Sequence, residues 1–127
     1  MATQHDIEIY LDECKFPFEG ISEGVWRVES PDNHVENIIL SYVEPILVFR
    51  VNLMKVPVKN REAFYKRLLE LNATEIPHGA FGVENNTVVL IDTLRVEDLQ
   101  RTELQASVDS LGFTVAQYYE ELKGFLQ

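Results

Sequence analysis

The sequence predicts an α+β fold in which helices pack on one side of an antiparallel sheet, in the order α-β-β-β-α-β-β-α. Three observations carry this prediction: alternating apolar side chains over 46–56, two strand-like segments joined by Asn-Asn over 80–94, and helical apolar spacing over 97–125. A chain of 127 residues has the size of one domain and buries roughly two-thirds of its unfolded surface. We therefore expect a single domain over residues 1–127.

The chain is expected to begin with a short amphipathic helix followed by a strand. Apolar side chains recur three and four positions apart between Asp6 and Cys14, with acidic residues between them. Pro17, Gly20 and Gly24 interrupt this pattern, so the segment around them is predicted to be irregular. The alternating sequence VWRVES then predicts a strand at 25–30.

The middle of the chain predicts two long strands and a helix. Strands are expected at 35–43 and 46–56, and the second has one apolar face and one mixed face. Asn60 is a suitable N-cap for a helix that runs from Arg61 to about Asn72. The apolar face of the second strand comprises Leu47, Phe49, Val51 and Leu53, and the mixed face comprises Ile46, Val48, Arg50, Asn52 and Met54.

The segment HGAFGVENNTVVLIDTL is predicted to be a β-hairpin. Asn85-Asn86 lies between two strand-like segments, and asparagine accepts the positive φ angles of a two-residue hairpin turn. A phosphate-binding loop would instead need glycines between a strand and a helix start. Gly79 and Gly82 precede or lie within a strand that runs into another strand, which indicates a bulge or a close backbone approach.

The last predicted helix, from Glu97 to about Phe125, carries a long apolar seam. Its apolar residues are spaced four and three apart, as in a heptad repeat. This seam either packs on the protein's own sheet or contacts a second copy, and both interpretations are open at this point. If it contacts a second copy, Val108, Leu111 and Val115 are the expected dimer contacts. The seam comprises Leu104, Val108, Leu111, Val115, Tyr118, Leu122 and Phe125.

The charge of the chain disfavours some partners. A formal net charge of −10 argues against binding to nucleic acid and to anionic membranes. Bases nevertheless outnumber acids over 45–96, and the basic residues are either a solvated face or a complement to an acidic segment of a partner or second copy. No apolar run approaches the ~20 residues that span a bilayer, and the N-terminus lacks the lysines of a signal peptide. We therefore expect a cytoplasmic protein. The local basic residues are Lys55, Lys59, Arg61, Lys66 and Arg67.

Candidates for catalysis or for metal binding are few. His5, His34 and His78 have no second histidine or cysteine at ligand spacing, so the sequence predicts no metal site. Cys14 is the only cysteine and is expected to be a small buried residue. His78 can approach Asp92 across the hairpin, where a structural hydrogen bond is the simpler interpretation than a catalytic pair. No catalytic residue, cofactor or enzymatic activity is predicted.

Three segments resemble the type III secretion chaperone-like superfamily, which includes the CesT/Tir-type chaperones and the YbjN-type proteins. They are LMKVPVKNREAFYKRLLELNA, HGAFGVENNTVVLIDTL and LQASVDSLGFTVAQYYEEL. The resemblance covers almost the whole chain and concerns packing residues, so it implies a fold more directly than a function. It implies a homodimer without enzymatic activity. Secretion chaperones of this superfamily bind an extended partner segment on apolar grooves, whereas a part in regulation is suggested for the YbjN-type proteins.

Some aromatic residues and one methionine lie where a core does not obviously require them. Such side chains suit adaptable binding surfaces, and a partner segment could add along a sheet edge beside them. The expected function is therefore capture of an extended polypeptide segment, and the alternative is a regulatory adaptor that binds a folded partner. The candidate partner-binding residues are Phe16, Phe18, Trp26, Tyr42 and Met54.

Overall fold

The computed structural model describes residues 1–126, which form three helices and a six-stranded antiparallel sheet. The strands follow the order β1-β2-β3-β4-β6-β5 across the sheet, so β1 and β5 are its edges. The elements are α1 (Gln4–Glu13), β1 (Phe18–Ser22), β2 (Val25–Ser30), β3 (Val35–Val43), β4 (Ile46–Lys55), α2 (Arg61–Thr74), β5 (Ala80–Glu84), β6 (Thr87–Arg95) and α3 (Arg101–Lys123). The predicted α+β class is confirmed.

One face of the sheet carries the core, and the other keeps partial exposure. Residues on the covered face alternate with residues on the outer face, such as Val48, Arg50 and Ile91, which stay half-buried. Helix α3 crosses the covered face and fills it with Leu104 and Leu111. The covered face is formed chiefly by Val28, Ile38, Leu40, Leu47, Phe49, Val51 and Leu90, each at most 1% exposed.

Strand β1 is an element that the sequence pattern did not predict. It pairs with β2 through a hairpin at Gly24, where φ is +71°. Four of its five residues are exposed, so its sequence shows no alternation of apolar and polar residues. Gly20 within the strand is a residue type that usually indicates a chain break. The prediction of an irregular segment was wrong here because an exposed edge strand has no buried face to impose a pattern.

Strand β4 contains a bulge that changes which way Met54 points. The pairing with β6 shifts between Asn52 and Met54, so Met54 pairs with the fully buried Val88. An extra residue in one strand moves the following side chains to the other face. Met54 therefore packs against the core instead of lying on the mixed face that simple alternation predicted.

One predicted hairpin turn and one predicted helix start are confirmed, and a second helix start needs correction. Asn85 and Asn86 have φ of 50° and 62°, as a two-residue hairpin turn requires. Helix α2 begins after Asn60 as expected, although the Asn60 side chain makes no capping hydrogen bond. Helix α3 begins at Arg101 instead of Glu97, because Glu97 and Asp98 form a turn and Gln100 is the N-cap, with its backbone N–H donating to Glu103 Oε1.

None of the helices formed by residues 1–126 combines the length and the hydropathy of a membrane-spanning segment.

Candidate partner-binding surfaces

Two of the aromatic residues predicted to bind a partner belong to the core around α1. Trp26 is 3% exposed, and its indole Nε1 donates a 2.9 Å hydrogen bond to Glu8 Oε2 on α1. Phe16 is buried, and Phe18 packs half-buried beside the core at the start of β1. A buried ring that holds a helix in place has little surface left for another protein. Of these three residues, Phe18 keeps the surface that a partner could contact.

Tyr42 and Met54 are half-buried and lie far apart along their strands. Tyr42 Oη donates a 2.6 Å hydrogen bond to the carbonyl oxygen of Ala2, which fixes the N-terminus on the sheet. Met54 lines a shallow groove near the β5–β6 turn, together with Leu53 and Thr87. Met54 lies at the other end of β4 from Leu47, the residue with which Tyr42 pairs, so the five predicted partner-binding residues do not line one groove together.

The residues predicted as dimer contacts on α3 differ in available surface. Val108 and Leu111 are 0% exposed, because they fill the space between α3 and the sheet. Neither side chain has surface with which to contact a second copy in this conformation, so the seam serves mainly as core. Val115 is half-buried and lines an open groove with Tyr119 and the start of β3. Only Val115 of the three keeps surface for such a contact.

An apolar groove that the sequence analysis missed runs between α2 and the edge strand β5. We call it the α2–β5 groove, and its volume is about 280 Å³. Leu69 on α2 is 68% exposed and Val83 on β5 is 46% exposed, which is unusual for two large apolar side chains on one surface. The sequence contained an indication of this groove, because Leu69 is a large apolar residue that lies outside the apolar stripe of α2 formed by Phe64, Leu68 and Leu71. The groove is lined by Tyr65, Leu68, Leu69, Asn72, Phe81, Gly82 and Val83.

The two edge strands differ in whether their outward-facing backbone N–H and C=O groups have hydrogen-bond partners. On β5, the Asn72 side chain accepts a 2.8 Å hydrogen bond from the Phe81 N–H and donates one of 3.1 Å to the Phe81 carbonyl. Strand β1 has β2 on one side, and no other strand of the described chain pairs with its outer side. Ile21 on β1 is 54% exposed. An unpaired strand edge is a template for adding a further strand.

The candidates for metal binding or catalysis are His, Cys, Asp and Glu side chains that lie apart from one another or have structural partners in the described chain. No group of three or more His, Cys, Asp or Glu side chains in residues 1–126 is placed to hold a metal ion. Asp92 Oδ2 accepts a 2.8 Å hydrogen bond from Ser107 Oγ on α3, whereas His78, the possible partner considered from the sequence, makes no side-chain hydrogen bond with it in the described chain. Burial raises the pKa of the Cys14 thiol, which lowers the fraction of reactive thiolate.

Solved structures with the same fold come from two groups of proteins. YbjN from E. coli, a proposed transcription regulator, superposes with a TM-score of 0.69 at 11% identity, covering 94% of this chain and 93% of YbjN. A chain of the heterodimeric ExoU–SpcU complex from the type III secretion system of Pseudomonas aeruginosa gives 0.59 at 16% identity, covering 94% of each chain. A chain of the HopA1–SchA chaperone–effector complex gives 0.57 at 14% identity, covering 93% of this chain and 88% of the other. Identities this low establish the fold alone.

A search of curated protein sequences gave no match. The family model CesT_Tir_1, in contrast, matches residues 1–127. This full-length match agrees with the α+β architecture and with the structural similarity to YbjN and to the secretion complexes. The chain therefore belongs to the CesT_Tir_1 family and has the secretion chaperone-like fold.

Proposed function

We propose that this protein binds an extended segment of another polypeptide along edge strand β1, without catalysing a reaction. The observation that carries the proposal is the open backbone edge of β1, whose residues are mostly solvent-exposed and include Ile21. Added strands gain affinity from main-chain hydrogen bonds and selectivity from side-chain pockets. Phe18 at the start of the strand is the candidate for such a contact.

The α2–β5 groove supports a homodimer as the working form. Because Asn72 occupies the outward N–H and C=O of Phe81, the β5 edge cannot easily accept a strand at that position. A second copy would instead pack Leu69 and Val83 against the same side chains of its partner. A two-fold contact of one surface with itself is the commonest way in which soluble proteins form dimers. This arrangement leaves β1 free for the captured segment.

Membership of the CesT_Tir_1 family and likeness to chains of chaperone–effector and secretion complexes support the chaperone interpretation. The alternative is a regulatory adaptor that binds a folded protein, which the similarity to YbjN favours. The two functions differ in the partner. A chaperone's partner aggregates or is degraded when this protein is absent, whereas an adaptor's partner stays folded alone.

The proposal is tested with peptides selected for binding from a random library. Ile21→Lys places a charge on the β1 edge, and charges on edge strands oppose strand addition. We expect the affinity for the best peptide to fall at least about tenfold. Ile9→Lys is the matched control, because Ile9 is an exposed isoleucine on α1 and not part of the β1 edge. Equal affinities for the Ile21→Lys variant and the unmodified protein would exclude β1 as the binding edge.

A further inference from the structure

A third surface, separate from β1 and from the α2–β5 groove, combines apolar and basic side chains. It is a groove of about 320 Å³ between the loop that follows β4 and the turn that follows α3. We call it the basic groove. This volume lies near the lower end of the range for ligand sites, roughly 300–1,000 Å³, and suits one or two side chains. The basic groove is lined by Lys55, Val56, Val58, Lys59, Phe125 and Leu126.

The apolar part of the basic groove is partly fixed and partly open. Val56 is 3% exposed, and the Phe125 ring packs edge-on against Phe64 with 5.3 Å between ring centroids. These contacts tie the groove to the core. Val58 is 86% exposed and Leu126 is 49% exposed, so both have surface that an additional apolar side chain would cover. Covering such surface stabilises a complex by the hydrophobic effect.

Two lysines line this groove and Arg61 lies beside it, and none of the three has an acidic partner in residues 1–126. Lys55 Nζ donates to Thr87 Oγ1 at 3.2 Å, and Arg61 Nε donates to the Pro57 carbonyl at 2.9 Å. Lys55, Lys59 and Arg61 take part in no ion pair of the described chain. The ion pairs found there are all formed by other arginines. Cations without partners around an apolar groove complement a ligand that carries carboxylates.

The overall charge restricts the size of that ligand. Because the chain has a formal charge of −10, a long polyanion would bring many repelling charges close to it. A short acidic segment brings few charges and places them beside Lys55 and Lys59. We propose that the basic groove binds an acidic peptide segment of a partner protein, with one apolar side chain between Val58 and Phe125 and flanking carboxylates on Lys55 and Lys59.

The test is a fluorescence anisotropy titration with a labelled Glu-Glu-Leu-Glu-Glu peptide. Lys55→Gln/Lys59→Gln removes two charges from the groove, and Lys15→Gln/Lys66→Gln removes the same charge from positions that do not line it. We expect the first variant to bind the peptide about tenfold more weakly, and the control variant to bind like the unmodified protein. Replacing leucine by alanine in the peptide, or Val58 by serine in the protein, should also weaken binding.

Four outcomes would overturn the proposal. The first two are the absence of measurable binding to the unmodified protein and an equal loss of affinity in both double variants. The third is equal binding of a Lys-Lys-Leu-Lys-Lys peptide. The fourth is a change in the mass of the Lys55→Gln/Lys59→Gln variant without a change in its affinity for the peptide. The last outcome would assign the groove to contact between copies. The Ile21→Lys variant should bind the acidic peptide normally, so this result does not depend on the proposed role of β1.

Discussion

The side chain of Asn72 makes two hydrogen bonds to the backbone of Phe81 and thereby closes part of the β5 edge. Oδ1 accepts from the N–H at 2.8 Å, and Nδ2 donates to the carbonyl at 3.1 Å. The amide reproduces the pair of bonds that a neighbouring strand would supply. Helix α2 therefore protects one edge of the sheet, whereas β1 at the other edge has no such partner in the described chain.

Asn72→Ala should destabilise the protein and open this edge. Loss of both bonds leaves the N–H and C=O of a largely buried residue without protein partners, which costs about 1–3 kcal/mol. The free energy of unfolding, measured in urea, is expected to fall by this amount. Asn37→Ala is a control, because Asn37 is exposed and makes one side-chain bond, to the Asn52 carbonyl. A larger effect in the Asn37 variant would contradict the importance assigned to Asn72.

Assembly through the α2–β5 groove predicts a change of mass on substitution of Leu69. We expect light scattering to give about twice 14.6 kDa for the unmodified protein and a value near 14.6 kDa for Leu69→Ser. Phe113→Ser is the matched control, because Phe113 is 55% exposed on α3 and lies outside the groove. Its mass should stay that of the dimer. If Val115→Ser lowers the mass and Leu69→Ser does not, the interface lies on α3.

Helix α3 approaches the end of β2 and the loop after it so closely at Gly112 that an added side chain would clash. A Cβ at this position would lie 2.6 Å from Ser30 Oγ and 2.9 Å from Asn33 Nδ2. Gly112→Ala should therefore lower the free energy of unfolding by roughly 1–3 kcal/mol, as overpacked substitutions do. Gly124→Ala, where the added Cβ meets no atom within 4 Å, should have almost no effect. Equal stability of the two variants would show that α3 moves freely at Gly112.

The ion pair between α2 and α3 predicts a small dependence of stability on pH. The hydrogen bonds from Arg67 lower the pKa of Glu121 below its usual value. A carboxyl group with a depressed pKa in the folded state stabilises the fold above its unfolded pKa, and this stabilisation is lost as the pH falls through the folded pKa. Because both side chains are more than a third exposed, the effect should be about 0.5 kcal/mol or less.

This dependence is measured by comparing unfolding free energies at several pH values below about 5. The unmodified protein should lose more stability on acidification than Glu121→Gln, which has no carboxyl group to protonate at this position. Arg95 and Glu97 form a more exposed pair, so Glu97→Gln is the control and should leave the pH dependence nearly unchanged. A steeper dependence in Glu121→Gln would show that the sign assigned to this pair is wrong.

Where side chains alternate between a buried and an exposed face, the sequence pattern was enough to predict the strands. Val25–Ser30 and Ile46–Lys55 are examples, and Asn85-Asn86 marked the hairpin turn through its tolerance of positive φ. The pattern failed at β1, where exposed residues carry no alternation, and at Met54, where a bulge changes the face. Both failures concern surfaces near the candidate sites.

Apolar spacing predicted which face of α3 is apolar but not what covers it. Val108 and Leu111 have the same heptad spacing whether they meet the sheet or a second copy, and the structure places them at 0% exposure in the core. Leu69 was overlooked for the opposite reason, because a single apolar residue outside a stripe is common on protein surfaces. Only its position beside Val83, on a different element, makes it part of a groove.

Amide hydrogen exchange of the complex with a library-selected peptide tests the central claim most directly. If a partner segment pairs with β1, the amides of Phe18–Ser22 should become protected, and an N-methylated version of the same peptide should lose both binding and protection. The protection of Ala80–Glu84 should stay unchanged. Protection that appears along α2 and β5 while β1 exchanges as it does in the free protein would contradict the account.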